Sequence, residues 1–180
     1  MIKITYFVHG TTKDNENGVS SGWSDVDLSE LGVRQSIELK DKIKGKKFDV
    51  VFCSDLTRAV HSANLTFGNS HRVVQDERLR ECNYGKFNGQ SSSVVEPMQE
   101  RCIADRFPDG ESYEEVKDRI DDFLDFLRAH YEGKSVAVVA HQAPQLSLDV
   151  LVKGVSWKEA FAKDWRKTKA WQPGWDYEVN

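Results

Sequence analysis

The 180-residue chain lacks any apolar run approaching the ~20 residues that span a bilayer, so no membrane segment is expected. Its opening, MIKITYFV, has no basic stretch followed by an apolar one, so a leader peptide is not expected either. Cysteine is scarce: Cys53, Cys82 and Cys102 form no CxxC pair and are odd in number, which argues for reduced thiols and a cytoplasmic protein rather than a disulfide framework. A surplus of positive charge is missing too. With 25 basic and 29 acidic residues interspersed, the net charge of −4 supplies neither a nucleic-acid footprint nor a polybasic membrane patch. Histidines occur singly, without metal-ligand spacing, so no metal and no cofactor is expected.

The pattern that is present alternates short apolar, β-branched runs with helical periodicity, which predicts an α/β domain with a largely parallel sheet. Three strands stand out: Ile2 to Val8, Phe48 to Cys53 and Ser135 to Ala140. Their near-continuous apolar character suits a sheet covered on both faces, hence a three-layer α/β/α sandwich. One domain over 1–180 is expected from length and composition. The clearest helix opens at Ser112, with Glu115 three residues on as a capping box. Val116, Ile120, Phe123, Leu124, Leu127 and Tyr131 form its buried stripe, leaving the Asp/Lys/Arg face wet. Further helices are expected from Ser29 to Ile43, Leu56 to Phe67, Pro144 to Val152 and Trp157 to Lys167, and a turn at WQPGW that closes a sheet edge. The irregular stretch 85–109, rich in Gln, Ser and Gly, is a candidate lid or substrate loop.

Each predicted strand runs into a chemically capable tip: the first into His9-Gly10, the second into Ser54 to Arg58, the third into His141-Gln142. Ligands of open α/β sheets bind outside the carboxyl ends of the strands, so neighbouring strands would bring two histidines and an arginine into one crevice. Such a set suits a phosphoryl group: an imidazole can attack phosphorus, a guanidinium can hold the oxygens in bidentate fashion, and a second imidazole can add a donor. Cysteine-based phosphatase chemistry fails on spacing, because CSDLTR leaves four residues between Cys53 and Arg58 where such a loop needs five; Cys53 reads as a buried strand residue. His61, His71 and His130 read as surface or packing histidines.

The segments VHGTTKDN, GWSDVDLSELGVRQS, VVFCSDLTRAVHSA, ERLRECNYGKFNG, PDGESYEEV and VAVVAHQAP, in this order, resemble those of the histidine phosphatase superfamily, its phosphoglycerate-mutase-like branch. The resemblance implies a nucleophilic His9 that becomes phosphohistidine, phosphoryl oxygens held by Arg58 and His141, and Glu81 as general acid and then base. It also implies Gly10, Asn15 and Gln142 as substrate-side residues. The implied activity is cofactor-free hydrolysis of a small phosphorylated metabolite. A phosphoglycerate-type mutase, or a phosphate-binding regulatory protein with a weakened site, are the alternatives; retention of Glu81 with both histidines speaks against the latter. One departure matters: Val8 stands where the family has an arginine before its nucleophile, and valine carries no charge or donor. Lys13, Arg80, Arg166 and Lys169 are the cations available to replace it. Gln142 stands in place of a common glycine, with its backbone N–H still free to point at a ligand, and Thr11 in place of Glu or Gln. The C-terminal Trp157, Trp165, Trp171 and Trp175 are expected to pack on the domain, or else to wall the pocket.

Overall fold

In the computed structural model, which describes residues 1–168 and 172–180, five strands form the central sheet. They are β1 (Ile2–Val8), β3 (Val50–Cys53), β4 (Val73–Gln75), β6 (Ser135–Ala140) and β7 (Trp175–Val179), in the order β4-β3-β6-β1-β7. All pairings are parallel except that of β7 with β1. A two-stranded ribbon of β2 (Val19–Ser20) and β5 (Gln90–Ser91) stands apart. The helices are α1 (Lys13–Glu16), α2 (Glu30–Lys42), α3 (Thr57–Phe67), α4 (Ser92–Val95), α5 (Tyr113–His130), α6 (Gln142–Lys153), α7 (Trp157–Ala162) and α8 (Trp165–Thr168). None of the described helices is long and apolar enough to cross a membrane.

Apolar side chains leave both faces of the inner strands, which is why the sheet is covered on both sides. Ile4, Tyr6, Phe52, Val136 and Val138 pack with Ile120, Phe123, Leu124 and Leu127 of α5 and Leu148 of α6. On the opposite face Phe7, Val51, Cys53, Ala137 and Val139 meet Ile43, Ala63 and Phe67 from the α2–α3 side. The three-layer arrangement expected from the alternating pattern is therefore present, with the predicted stripe of α5 buried apart from Tyr131, which caps the helix and is half-buried.

Several boundaries differ from the sequence expectation for identifiable reasons. Ser29 is the N-cap of α2, its hydroxyl accepting from the Gly32 N–H, so the helix proper begins at Glu30. Helix α6 begins at Gln142, two residues before Pro144, because proline is well tolerated in a first turn. The helix expected from Trp157 to Lys167 is broken at Lys163-Asp164, where Asp164 accepts from the Arg166 N–H at 3.0 Å and starts α8 anew. From the last residue of WQPGW onward, β7 is an edge strand that was not expected; its alternation places Trp175, Tyr177 and Val179 inward and Asp176 and Glu178 outward. Lys169 and Trp171 lie outside the described residues.

The loop after β1 is seated on the start of α2 by close backbone approach. A Cβ on Gly32 would lie 2.0 Å from the Thr11 carbonyl oxygen, and one on Gly10 would lie 2.4 Å from the Gly32 oxygen. The Ser29 N–H donates to the Thr11 carbonyl at 2.9 Å, and the Thr11 N–H donates to Gln35 Oε1 at 2.9 Å. Glycine to alanine in a helix interior ordinarily stabilises by about 1 kcal/mol. Here Gly32→Ala is expected to do the reverse, lowering the urea midpoint because the loop must lift from the helix; a raised midpoint would show that the contact yields freely.

Candidate active site

Because β6 lies between β1 and β3, the three strand tips are adjacent: the His9 N–H donates to the Ala140 carbonyl at 3.0 Å and the Ser54 N–H to that of Val139 at 3.1 Å. The rings of His9 and His141 come to 5.0 Å between centroids at 63°. His9 Nδ1 lies 2.7 Å from the Gly10 carbonyl oxygen. A carbonyl only accepts, so Nδ1 carries the proton and Nε2 keeps its lone pair. His141 is fully buried, and neither ring nitrogen has a hydrogen-bond partner. Its backbone is clamped instead: the Tyr6 hydroxyl donates to the His141 carbonyl at 2.7 Å and accepts from its N–H at 2.9 Å.

Arg58, near the start of α3, is 2% exposed. Its guanidinium donates to the carbonyls of Ser24 at 3.0 Å and Gly22 at 2.7 Å. Gly22 has a left-handed backbone, φ 54°, and a Cβ there would run into Asn88. Asn88 Oδ1 accepts from the N–H groups of Trp23 and Tyr84, tying this loop to the one that follows Glu81.

Glu81 arrives from a loop rather than a strand tip. Its carboxylate accepts from the N–H of Cys82 at 2.9 Å, of Ala143 at 2.9 Å and of Gln142 at 3.1 Å, the last two at the start of α6, where backbone donors lack intrahelical partners. The Glu81 carbonyl accepts from Trp23 Nε1 at 2.7 Å and from Arg119 at 2.9 Å. Arg119 also donates to the carbonyls of Arg78 and Arg80 and pairs with Glu111, whose carboxylate accepts from the Asn83 N–H. Arg119 corrects the expectation that the charged face of α5 is wet: its side chain is 16% exposed and holds the Glu81 loop. Arg119 and Tyr6 were not visible in the sequence because their roles rest on long-range contacts; Trp23, Asn88 and Glu111 were visible only as members of the family-like segments.

His9, Asn15, Arg58, Glu81, Gln142 and Arg166 line one cavity of about 430 Å³, with Ser92 and Glu96 from the 85–109 stretch on its wall. Val95, Cys102 and Phe107 of that stretch are buried, so its footing is part of the core. Asn15 closes a capping box with Thr12 through Oδ1. Gly10 lines a neighbouring cavity and spends its N–H on Ser62 Oγ at 2.9 Å. The backbone N–H of Gln142, expected to be free for a ligand, is instead committed to Glu81. Trp165 lines the cavity, whereas Trp157 and Trp175 are buried. Elsewhere, His61 meets Asp27, His71 contacts Ser70 and the Phe48 carbonyl, and His130 lies against Phe126. All three cysteines are free and buried, and burial pushes the Cys53 thiol up to about 12.

Between residues 6 and 173 the chain matches the family model of the histidine phosphatase superfamily (branch 1), and it belongs to that superfamily. It is 38% identical over 99 residues to the 2,3-bisphosphoglycerate-dependent phosphoglycerate mutase of Streptococcus pyogenes, the match covering 52% of this chain and 43% of the mutase. The match thus spans less than half the length of these curated relatives. Similar folds are the alpha-ribazole phosphatase of Shigella flexneri, with TM-score 0.78, 22% identity and coverage of 89% and 84% of the two chains. A mycobacterial glucosyl-3-phosphoglycerate phosphatase has TM-score 0.76, 24% identity and coverage of 89% and 86%.

Burial, and then the positive Arg58 nearby, lower the His9 pKa to about 3; the same causes hold His141 well below the usual histidine value. Both rings are therefore neutral at pH 7. An unfolded histidine takes its proton near 6.5, so below that pH the unfolded chain binds more protons and folding stability is lost as pH falls. Ring NMR signals of His9 and His141 are expected to hold their neutral positions from pH 8 to 5. A midpoint near 6.5 for either would contradict the burial account.

Proposed function

We propose that the chain is a metal-independent phosphomonoesterase that hydrolyses a small phosphorylated metabolite through phosphohistidine on His9. The observation that carries this is the imidazole pair: His9 anchored through Nδ1 with Nε2 unengaged, beside a buried His141 whose ring nitrogens have no partner. A buried polar group without a partner costs about 1–3 kcal/mol, and a phosphoryl oxygen accepting from the N–H of the neutral His141 ring would satisfy that donor.

The steps follow from the residues. His9 Nε2 attacks phosphorus in line with the leaving oxygen while Arg58 and His141 donate to the equatorial oxygens as their charge redistributes. Protonated Glu81 gives its proton to the leaving oxygen, freeing an alcohol and leaving phosphohistidine. The Glu81 carboxylate then takes a proton from water, which attacks phosphorus; the phosphorus–nitrogen bond breaks, and the electron pair returns to Nε2. Asn15 lies on the cavity wall where it can contact the substrate, while Gly10 and Gln142 act by shaping the backbone around it. The relatives named above act, by their names, on phosphoglycerate, alpha-ribazole and glucosyl-3-phosphoglycerate compounds, which supports a small phosphorylated metabolite as substrate.

Hydrolysis of p-nitrophenyl phosphate in the presence of chelator tests this. Wild type is expected to release inorganic phosphate, His9→Ala to lose the activity outright, and Glu81→Gln to lose roughly 10²–10⁴-fold. Activity that survives His9→Ala, or that chelator abolishes, would sink the assignment; with phosphoglycerate added, isomer formation instead of phosphate release would point to a mutase.

A further inference from the structure

A phosphoryl dianion entering this cavity brings two negative charges and meets the Glu96 side chain on the wall. Arg58 alone cannot offset that charge, and two of its N–H groups are already given to backbone carbonyls. Val8, at the tip of β1 and on the cavity wall, contributes neither charge nor donor. Among the described residues, the other candidate cations Lys13 and Arg80, and Arg119 of α5, do not line this cavity. Arg80 forks onto Asp55 at 2.8 and 2.6 Å and stacks over Trp23, Arg119 serves the Glu81 loop, and Lys13 is exposed on α1 away from the cavity.

Arg166 lines the cavity, and the way it is held connects it to the catalytic strand tips. Asp164, 3% exposed, accepts from the Arg166 N–H at 3.0 Å and lies 3.9 Å from Arg166 Nε. A buried carboxylate needs donors, and the second comes from the Gln142 side-chain amide. Gln142 follows His141 directly, and its backbone N–H holds Glu81. Its two amides thus bind two different carboxylates, one that does chemistry and one that starts the turn carrying Arg166.

We propose that Arg166 is the second phosphoryl-binding cation of this site, set in place by the Gln142–Asp164 contact and substituting for the donor that Val8 lacks. This rests on the histidine phosphatase function proposed above. Arg166 is a binding residue, since its guanidinium would touch the phosphoryl oxygens in the forked geometry that suits them; Gln142 and Asp164 are positioning residues. Its positive charge beside His9 also helps keep that ring neutral.

Inorganic phosphate binding, measured by calorimetry, tests this without turnover. Losing one charge-assisted contact is expected to weaken phosphate binding about 10- to 100-fold in Arg166→Ala. Restoring an arginine at the strand tip, in the double variant Val8→Arg/Arg166→Ala, is expected to recover most of that loss. Gln142→Gly should weaken phosphate binding in wild type, add little in the Arg166→Ala background, and likewise be rescued by Val8→Arg, a pattern that general loosening of the fold would not give. Unchanged phosphate affinity in Arg166→Ala would overturn the Arg166 assignment alone. A folded wild type that neither binds phosphate nor hydrolyses p-nitrophenyl phosphate would overturn the phosphatase assignment with it.

Discussion

Parallel pairing of β6 with β1 on one side and β3 on the other is the constraint on which the site depends. A parallel sheet ends all its strands on the same side, so the chain can bring His9, Ser54 and His141 to adjacent strand tips although they are far apart in sequence. The pairing is held by apolar contacts on both faces rather than by anything at the site: Tyr6, Val136 and Val138 against α5, Phe7, Ala137 and Val139 against the α2–α3 layer. The polar residues His9, Ser54 and His141 thereby sit at the tips, where the apolar pattern stops.

Around those tips the Glu81, Arg58 and His9 side chains are held by backbone groups. Glu81 rests on three N–H donors, Arg58 on two carbonyls, His9 on one and the His141 main chain on the Tyr6 hydroxyl. Backbone partners cannot swing away, so the geometry is set before any ligand arrives, which is the condition for electrostatic stabilisation of a transition state. Burial then sets the charge states. An imidazole surrounded by protein and facing Arg58 stays neutral, and neutrality is what a nucleophilic nitrogen requires.

Much of this was legible in the sequence. The three strands, the α5 stripe, the Ser112–Glu115 capping box and the residues at the strand tips follow from periodicity and local hydrogen-bonding chemistry, which depend on near neighbours alone. The assignment of Glu81 to the same cavity was available only through the family resemblance, since a loop carboxylate carries no periodic signal. Arg119 was misjudged because its position on α5 predicts solvent, and only the fold reveals the carbonyls and Glu111 that it meets. Strand β7 was missed although WDYEV alternates apolar and polar residues as a half-buried strand does; the Pro-Gly turn signal just before it dominated the segment. The break at Asp164 rests on a local bond, the Arg166 N–H onto its carboxylate, and the apolar spacing of the segment outweighed that signal in the sequence.

We propose that phosphoryl transfer passes through Nε2 of His9. The most direct measurement is to quench the enzyme with alkali during turnover of a labelled phosphomonoester and locate the label. Phosphohistidine is stable in alkali and labile in acid, so the account predicts one phosphoryl group on the His9 peptide that acid removes and that His9→Ala abolishes. Label on another residue, or turnover with no covalent phosphoryl group on the protein, would contradict it.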